Sequence, residues 1–192
     1  MRVIAGRFRN RSIQSLKAAW LRPTTDRTRE FIFSWLGNLV PEARVLDLFA
    51  GTGSLGIEAV SRGAVEATFV DSAAAAYTLI QRNTAALDIP AAVFRQEALS
   101  YLKRAARMHW RYDLIFCDPP YFYPEYAELL QQIQEGAVLQ AEGLLIYEAS
   151  SREMLACPEP WRLRKEKVMG DTRILFMELE HAEENSDLSR IV

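Results

Sequence analysis

An aspartate, two prolines and a tyrosine, Asp118-Pro119-Pro120-Tyr121, directly follow the apolar run of residues 112–117. The run predicts a buried strand, so the sheet is expected to hold the carboxylate in place at the strand end. The prolines fix φ and remove two backbone donors, which leaves rigidly aimed carbonyl acceptors. A carboxylate, a rigid carbonyl and an aromatic face in one short loop suit a planar base that carries an amine. Asp118, Pro119, Pro120 and Tyr121 are therefore candidate catalytic residues.

The aromatic residues of this loop predict a stacking surface for a nucleobase. Tyr121 is the expected platform, and Phe122 and Tyr123 are candidate nucleic-acid contacts. A base must leave its own stack before an enzyme can act on it, and an aromatic side chain offsets about 1–3 kcal/mol of that cost.

A second set of candidate residues forms a glycine-rich loop between a predicted strand and a predicted helix. Gly51, Gly53 and Gly56 satisfy G-x-G-x-x-G, and Asp71 ends the next predicted strand, twenty residues after Gly51. Glycines let a ligand approach the backbone at a helix N-terminus, and the distal carboxylate can bind both ribose hydroxyls. The pattern predicts a cofactor that contains a nucleoside.

Asp47 helps to decide which cofactor this is, because dinucleotide-binding folds normally carry apolar residues at that point of the strand. A carboxylate beneath the loop can engage loop amides or an ammonium group. S-adenosylmethionine has an adenosine, a sulfonium and an amino-acid end, so Asp47 favours it. Glu97, with Ala98 beside it, then follows the third predicted strand and is placed to accept from the adenine amine. A dinucleotide-dependent oxidoreductase remains the alternative, since it predicts the same glycines.

Basic side chains are concentrated at the N-terminus. Residues 1–30 carry eight basic against two acidic side chains, a formal charge of +6, while the other 162 residues carry −8. A basic arm on an otherwise acidic protein predicts a polyanionic partner, and guanidinium groups are well suited to bind phosphate. The candidate nucleic-acid contacts in this segment are Arg2, Arg7, Arg9, Arg11 and Arg22.

Composition excludes several classes of protein. The chain has 192 residues, of which 49% are hydrophobic and 25% charged, as in an ordinary globular domain. Two cysteines and two histidines predict neither a disulfide framework nor a metal site. No apolar run reaches the roughly 18 residues of a membrane span, and no signal peptide is evident, so we expect a cytoplasmic protein.

Strand and helix patterns alternate along the middle of the chain, which predicts an α/β fold with a mostly parallel sheet. One more helix is expected before these elements. Thr25 or Asp26 caps its start, and it ends at about residue 38. The predicted strands are 44–49, 67–70, 91–95, 112–117 and 143–148, and the helices between them are 54–62, 73–87, 97–108 and 126–133. Two further β-like runs, 161–168 and 173–180, have only a turn between them, so an antiparallel hairpin is expected to close a seven-stranded sheet. Residues 1–21 are predicted to form a basic arm or short β-hairpin, 22–180 the main domain, and 181–192 a flexible acidic tail.

Several of these motifs together resemble the RsmD family, the 16S rRNA guanine-N2 methyltransferases, from Arg2 to about Leu179. The resemblance rests on R-P-T-T-D-R-T-R-E at 22–30, D-L-F-A-G-T-G-S-L-G-I-E-A at 47–59, S-R-G-A at 61–64, D-P-P-Y at 118–121 and G-D-T at 170–172. Asn10 stands where the family usually has glycine, and Glu97 replaces a more common aspartate.

The resemblance implies a class I methyltransferase (Rossmann-like) fold and S-adenosylmethionine as the cofactor. It implies methylation of a guanine N2 amine in 16S rRNA, within a small-subunit particle, by a monomer. It also implies that Phe49 contacts the cofactor and that the segment with Thr25 and Arg27 folds back over it.

The residues alone leave other substrates open. The same chemistry would serve adenine N6 in DNA or a protein glutamine amide, and a non-catalytic RNA-binding module is a further alternative. A chain of 192 residues has no room for a separate recognition domain, which disfavours a sequence-specific DNA methyltransferase. Asn83 and Glu148 are either pocket residues or ordinary caps.

Overall fold

A computed structural model describes residues 1–15 and 25–180. Arg22 and the predicted tail, 181–192, lie outside these described residues. The helices are α1 (Asp26–Leu36), α2 (Ser54–Ser61), α3 (Ala74–Ala86), α4 (Ala98–Arg107) and α5 (Tyr126–Glu135), and a short 3₁₀ turn (Gly37–Leu39) follows α1. The strands are β1 (Arg44–Leu48), β2 (Glu66–Asp71), β3 (Ala91–Arg95), β4 (Tyr112–Cys117), β5 (Leu139–Ser150), β6 (Trp161–Met169) and β7 (Thr172–Leu179).

These strands form one sheet in the order β3-β2-β1-β4-β5-β7-β6. The first five are parallel, and β7 runs antiparallel to both β5 and β6. The prediction of a seven-stranded, mostly parallel sheet with a closing hairpin is confirmed. Gly170, with φ of 63°, makes the tight turn between β6 and β7, because glycine adopts positive φ without a steric penalty.

Helices cover both faces of the sheet, with one apolar core on each face. Successive side chains along a strand alternate between the two cores. In β4, Leu114 and Phe116 join the core beneath α1, α2 and α3, whereas Ile115 and Cys117 join the core beneath α4 and α5. The chain builds the sheet outward from β1 in one direction through β2 and β3, and then in the other direction through β4 and β5. The strand order therefore reverses between β1 and β4. In open α/β sheets, ligands bind at the carboxyl ends of the strands at such a reversal.

The N-terminal segment forms a small hairpin that packs on α2. Arg2 and Ser12 make an antiparallel bridge, and Val3 and Ile13 are buried in the first core. Asn10 adopts φ of 66°, a conformation that asparagine tolerates better than most residues, so the turn forms without the family's glycine. We call residues 1–15 the N-terminal hairpin.

Backbone groups of the hairpin bind to side chains of α2. Glu58 accepts hydrogen bonds from the N–H groups of Ile4 (2.8 Å) and Ala5 (3.0 Å), and Ser61 Oγ accepts one from Phe8 (3.0 Å). Arg29 of α1 is fully buried, donates to the Arg2 carbonyl at 2.8 Å and lies 3.7 Å from Glu58. The hairpin is thereby fixed to both α1 and α2.

Several element boundaries differ from the predicted ones by a few residues. The largest difference is in β5, which begins at Leu139 rather than at 143. Leu139 is buried and pairs with Tyr112 of β4, but the exposed residues 140–142 that follow interrupt the apolar pattern in the sequence. Among residues 1–15 and 25–180, no helix is long and apolar enough to cross a membrane.

Candidate functional site

The strand register brings the predicted site residues together at the carboxyl edge of the sheet. Leu48, the last residue of β1, pairs with the last but one residue of β2 and with the last residue of β4. Asp71 of β2 and Asp118 after β4 therefore flank Phe49, where the glycine loop begins. By the same register, Glu148 of β5 lies beside Asp118. Because neighbouring strands are about 4.8 Å apart, Asp71 and Asp118 are about 10 Å apart, a distance that a nucleoside with a side arm can span.

Two carboxylates hold the glycine loop and the start of α2. Asp71 accepts from Gly51 N–H at 2.9 Å with one oxygen and from Ala73 N–H at 2.8 Å with the other. Asp47 accepts from Gly56 N–H at 2.9 Å. A Cβ on Gly56 would lie 2.4 Å from the Phe69 ring, so only glycine lets α2 pack this closely on β2.

Asp47 lies in a strongly perturbed electrostatic environment. Its side chain is buried, with 2% of its surface exposed. Burial raises the pKa of Asp47 well above its ordinary value, the hydrogen bond from Gly56 opposes this shift, and repulsion from Asp118 and Asp71 adds to it. A cationic group near this carboxylate would oppose the shift, because an opposite charge favours the ionised form.

Asn83, whose role the sequence left open, joins the glycine loop to the N-terminal hairpin. Its Nδ2 group donates to the Thr52 carbonyl at 2.9 Å and to the Gln14 carbonyl at 3.0 Å. Its Oδ1 atom accepts from Gln14 N–H at 2.9 Å. The side chain is 2% exposed, so Asn83 is a buried connector rather than a helix cap.

Asp118 is half-buried at the end of β4, Pro119 is buried and Pro120 is exposed. The Tyr121 hydroxyl lies 3.0 Å from Thr172 Oγ1, which ties the loop after β4 to the β6–β7 hairpin. Tyr123 is half-buried and packs edge-on against Phe49, with 5.1 Å between ring centroids. Two of the predicted aromatic contacts therefore have partners within the protein: Tyr121 contacts Thr172, and Tyr123 packs against Phe49.

Phe122, between them, is the exposed member of this run. Its side chain is 64% exposed, its φ is 59°, and its N–H donates to Glu153 Oε1 at 2.9 Å. The same Glu153 oxygen accepts from Ser150 N–H at 2.8 Å.

The structure places Thr25 and Arg27 beside the β6–β7 hairpin. Thr25 is the N-cap of α1, as expected, and accepts from Thr28 N–H at 3.1 Å. A cleft of about 490 Å³ separates the two elements, and its lining comprises Thr25, Arg27, Thr28 and residues 167–172. Since Thr172 also contacts Tyr121, this cleft adjoins the loop after β4. Arg27 is exposed on its rim.

The remaining predicted residues are found near these elements. Glu97 is the exposed N-cap of α4, and Ala98, the first residue of that helix, is buried. Arg2, Arg7, Arg9 and Arg11 are exposed on the N-terminal hairpin. The Arg7 guanidinium lies over the Phe8 ring, and Arg11 donates to the Ala86 carbonyl at 3.4 Å. Within the described part of the chain, no cluster of three or more His, Cys, Asp or Glu side chains is arranged to hold a metal ion.

Cys117 sits next to Asp118 but is not a nucleophile. Burial raises the pKa of the Cys117 thiol well above its ordinary value, and the charges of Asp118, Asp47 and Glu148 raise it further. The thiol is therefore not activated for nucleophilic chemistry.

Glu153 was not predicted as a site residue. Its only signal in the sequence is the Ser150-x-x-Glu153 spacing, typical of a side chain that reaches back to a turn's first N–H group. That spacing predicts the bond to Ser150. It does not predict the bond to Phe122, which depends on how two distant loops meet.

The chain is similar to known proteins over most of its length. The family model described as Conserved hypothetical protein 95 matches residues 1–178. The chain is 34% identical over 173 residues to Ribosomal RNA small subunit methyltransferase D of Haemophilus influenzae, which is 88% of this chain and 89% of that protein. It is 39% identical over 150 residues to Putative rRNA methyltransferase YlbH of Bacillus subtilis, covering 77% and 82% of the two chains. Putative methyltransferase yhhF from Escherichia coli superimposes with a TM-score of 0.84 at 32% identity, over 94% of this chain and 98% of that one.

Proposed function

The chain belongs to the family described as Conserved hypothetical protein 95, and on this premise we propose that it methylates the exocyclic N2 amine of a guanine in 16S ribosomal RNA. It is an S-adenosylmethionine-dependent methyltransferase. The relatives' names support small-subunit rRNA as the substrate class, and the choice of guanine N2 rests on the resemblance of the sequence motifs. The observation that carries the proposal is the position of Asp118-Pro119-Pro120-Tyr121 beside the glycine loop at the strand reversal.

The residues at the sheet edge fit this cofactor. The buried Asp47, together with Asp71 and Asp118, favours a ligand with positive charge, and S-adenosylmethionine carries a sulfonium and an ammonium group. Asp71 has both oxygens on backbone N–H groups, and each oxygen can accept a further bond from a ribose hydroxyl. Gly51, Gly53, Phe49, Glu97 and Ala98 complete the proposed cofactor contacts, with Thr25 and Arg27 at the amino-acid end.

The chemical task of the protein is to make a weak nucleophile attack. The lone pair of a guanine amine is delocalised into the ring, so the nitrogen must become pyramidal. Asp118 and the Pro119 carbonyl each accept one amine hydrogen, which directs the lone pair out of the ring plane, and Asp118 then takes the proton. When bound, S-adenosylmethionine supplies an electrophilic methyl group.

Tyr121 holds the base that has left the RNA stack. The residue is 36% exposed, and the contact of its hydroxyl with Thr172 restricts the ring. Stacking on an aromatic offsets about 1–3 kcal/mol of the unstacking cost. Alignment of the nitrogen with the methyl group at about 3–3.5 Å then contributes most of the remaining acceleration.

We further propose that the substrate is rRNA within a small-subunit particle, that the enzyme acts as a monomer in the cytoplasm, and that residues 22–180 are the methyltransferase domain. A chain of this size can be specific if its substrate has its own shape, as folded rRNA does. Arg2, Arg7, Arg9, Arg11 and Arg22 would contact phosphates beside that target.

The test is a transfer assay with methyl-labelled S-adenosylmethionine on four substrates: small-subunit particles, naked 16S rRNA, DNA and ribosomal protein. The expected product is N2-methylguanosine in rRNA, identified after digestion to nucleosides. Label in adenine of DNA or in a glutamine side chain would assign the same chemistry to another substrate. No transfer to any of them, with cofactor bound, would favour a binding module.

A further inference from the structure

Phe122 breaks two ordinary rules at the same position. A large apolar side chain is usually buried, yet 64% of this one is exposed. A bulky residue also rarely adopts positive φ, and φ of Phe122 is 59°. A strained, exposed aromatic next to a reactive loop persists only when the surrounding structure holds it, and such residues cluster at functional sites.

The side chain that holds this conformation is Glu153. Its carboxylate is almost fully enclosed, with 7% of the residue exposed, and one oxygen accepts from the N–H groups of both Phe122 and Ser150. Ser150 is the last residue of β5, so the rigid sheet sets the position of the carboxylate. The backbone at Phe122 is therefore fixed from outside its own loop.

The neighbouring aromatic residues already have partners within the protein. Tyr121 is tied to Thr172, and Tyr123 packs against Phe49. The exposed Phe122 directly follows Tyr121, the platform that takes the target base.

We propose that Phe122 is a wedge that enters the RNA stack in the gap left by the target guanine, and that Glu153 is the positioning residue that presents it. The ligand of this site is the pair of stacked bases that flank the target. This inference rests on the proposed function. An apolar ring between two bases recovers part of the stacking lost when the target leaves, so it acts on base extrusion rather than on methyl transfer.

The experiment compares variants on two RNA substrates derived from the fragment that the wild type methylates. In the first, the target guanine is stacked between its neighbours; in the second, both neighbours are abasic, so that extrusion breaks no stack. Phe122→Asn is the main variant, because asparagine tolerates positive φ and removes only the ring. Phe122→Tyr keeps a ring, and Met154→Ala alters an exposed apolar residue on the adjacent segment, 92% exposed.

On the stacked substrate, kcat/KM of Phe122→Asn is expected to fall about tenfold, and Phe122→Tyr should lose less. On the abasic substrate, Phe122→Asn and the wild type should react equally. Glu153→Ala should follow Phe122→Asn on both substrates, whereas Glu153→Gln, which keeps the acceptor oxygen, should restore much of the loss. Met154→Ala should behave as the wild type throughout.

Three results would overturn the wedge. These are no loss for Phe122→Asn on the stacked substrate, an equal loss on both substrates, or a loss of the same size in Met154→Ala. A wild type that neither binds nor methylates rRNA would instead overturn the proposed function, and the wedge with it.

Discussion

The carboxylates Asp47, Asp71 and Asp118 share one edge of the sheet, but they do different work. Asp47 and Asp71 accept hydrogen bonds from backbone N–H groups of the glycine loop and the starts of α2 and α3. Asp118 follows the strand on the other side of the reversal; it is half-buried, as Asp71 is, whereas Asp47 is buried. The proposed function therefore gives the chemistry to Asp118, and the shaping of the cofactor pocket to Asp47 and Asp71.

Replacement of Asp118 by Asn should therefore separate binding from chemistry. The variant loses the charge that takes the amine proton, so we expect methyl transfer to fall by at least about 100-fold, with the Kd for S-adenosylhomocysteine largely unchanged. Single-turnover transfer and calorimetric titration measure the two quantities. Asp113→Asn, at the other end of the same strand, is the matched control and should keep both. Full activity in Asp118→Asn would refute the mechanism.

The raised pKa of Asp47 predicts a pH-dependent cost to stability. The native state binds this proton more tightly than the unfolded chain does, so the free energy of unfolding falls as pH rises from the unfolded pKa, about 3.9, through the native one. Asp47→Asn cannot ionise but keeps an acceptor for Gly56. Without cofactor, its melting temperature should exceed that of the wild type at pH 8, and the difference should vanish near pH 4. A difference that does not depend on pH would show that the charge is not its cause.

The helices and strands were largely predictable, because strand and helix periodicity alternate from Arg44 onward and the Gly170 turn marks the hairpin. The glycine loop and the loop of Asp118 were predictable for the same reason, since both follow recognisable strand ends. The contacts that connect elements were not. The two N–H groups of the N-terminal hairpin that donate to Glu58 lie more than fifty residues from it in the sequence, and Glu153 meets Phe122 only after both loops have folded. Patterns over a few neighbouring residues cannot predict contacts between residues that are distant in the sequence.

Asn83 is another residue whose contacts connect distant elements, and its replacement should show how those elements depend on one another. Asn83→Ala would leave the Thr52 carbonyl and the Gln14 backbone without their buried partner, at a cost of about 2–3 kcal/mol of unfolding free energy. Because Thr52 belongs to the glycine loop, the affinity for S-adenosylhomocysteine should fall as well. Denaturant unfolding and calorimetry at a temperature where both proteins are folded measure the two effects.

An exposed asparagine provides the comparison for that variant. Asn38, in the 3₁₀ turn after α1, is exposed, so Asn38→Ala should change neither stability nor cofactor affinity. If Asn83→Ala lowered the stability but left the affinity unchanged, Asn83 would support the fold without shaping the glycine loop.

The charge of the whole molecule is distributed unevenly, with +6 in residues 1–30 and −8 in the rest. The N-terminal hairpin is fixed to α2 by Glu58 and Ser61, so its arginines are held at a set position relative to the site. Since α2 has eight residues, about 12 Å of helix separates Ser61 from the glycine loop. An RNA whose target base occupies the pocket can therefore place its backbone phosphates on the hairpin while the acidic body repels other approaches.

This arrangement predicts how RNA affinity responds to salt. Each phosphate contact releases counterions, so the slope of log K against log salt measures the number of contacts. Combined replacement of Arg7, Arg9 and Arg11 by Gln should weaken rRNA binding and make the slope shallower by about 2, whereas cofactor affinity should not change. The single replacement Arg107→Gln, at the exposed end of α4, controls for loss of one positive charge away from the hairpin. Because counterion release requires contact rather than net charge, a slope that changes equally per charge removed in both variants would refute the role of the hairpin.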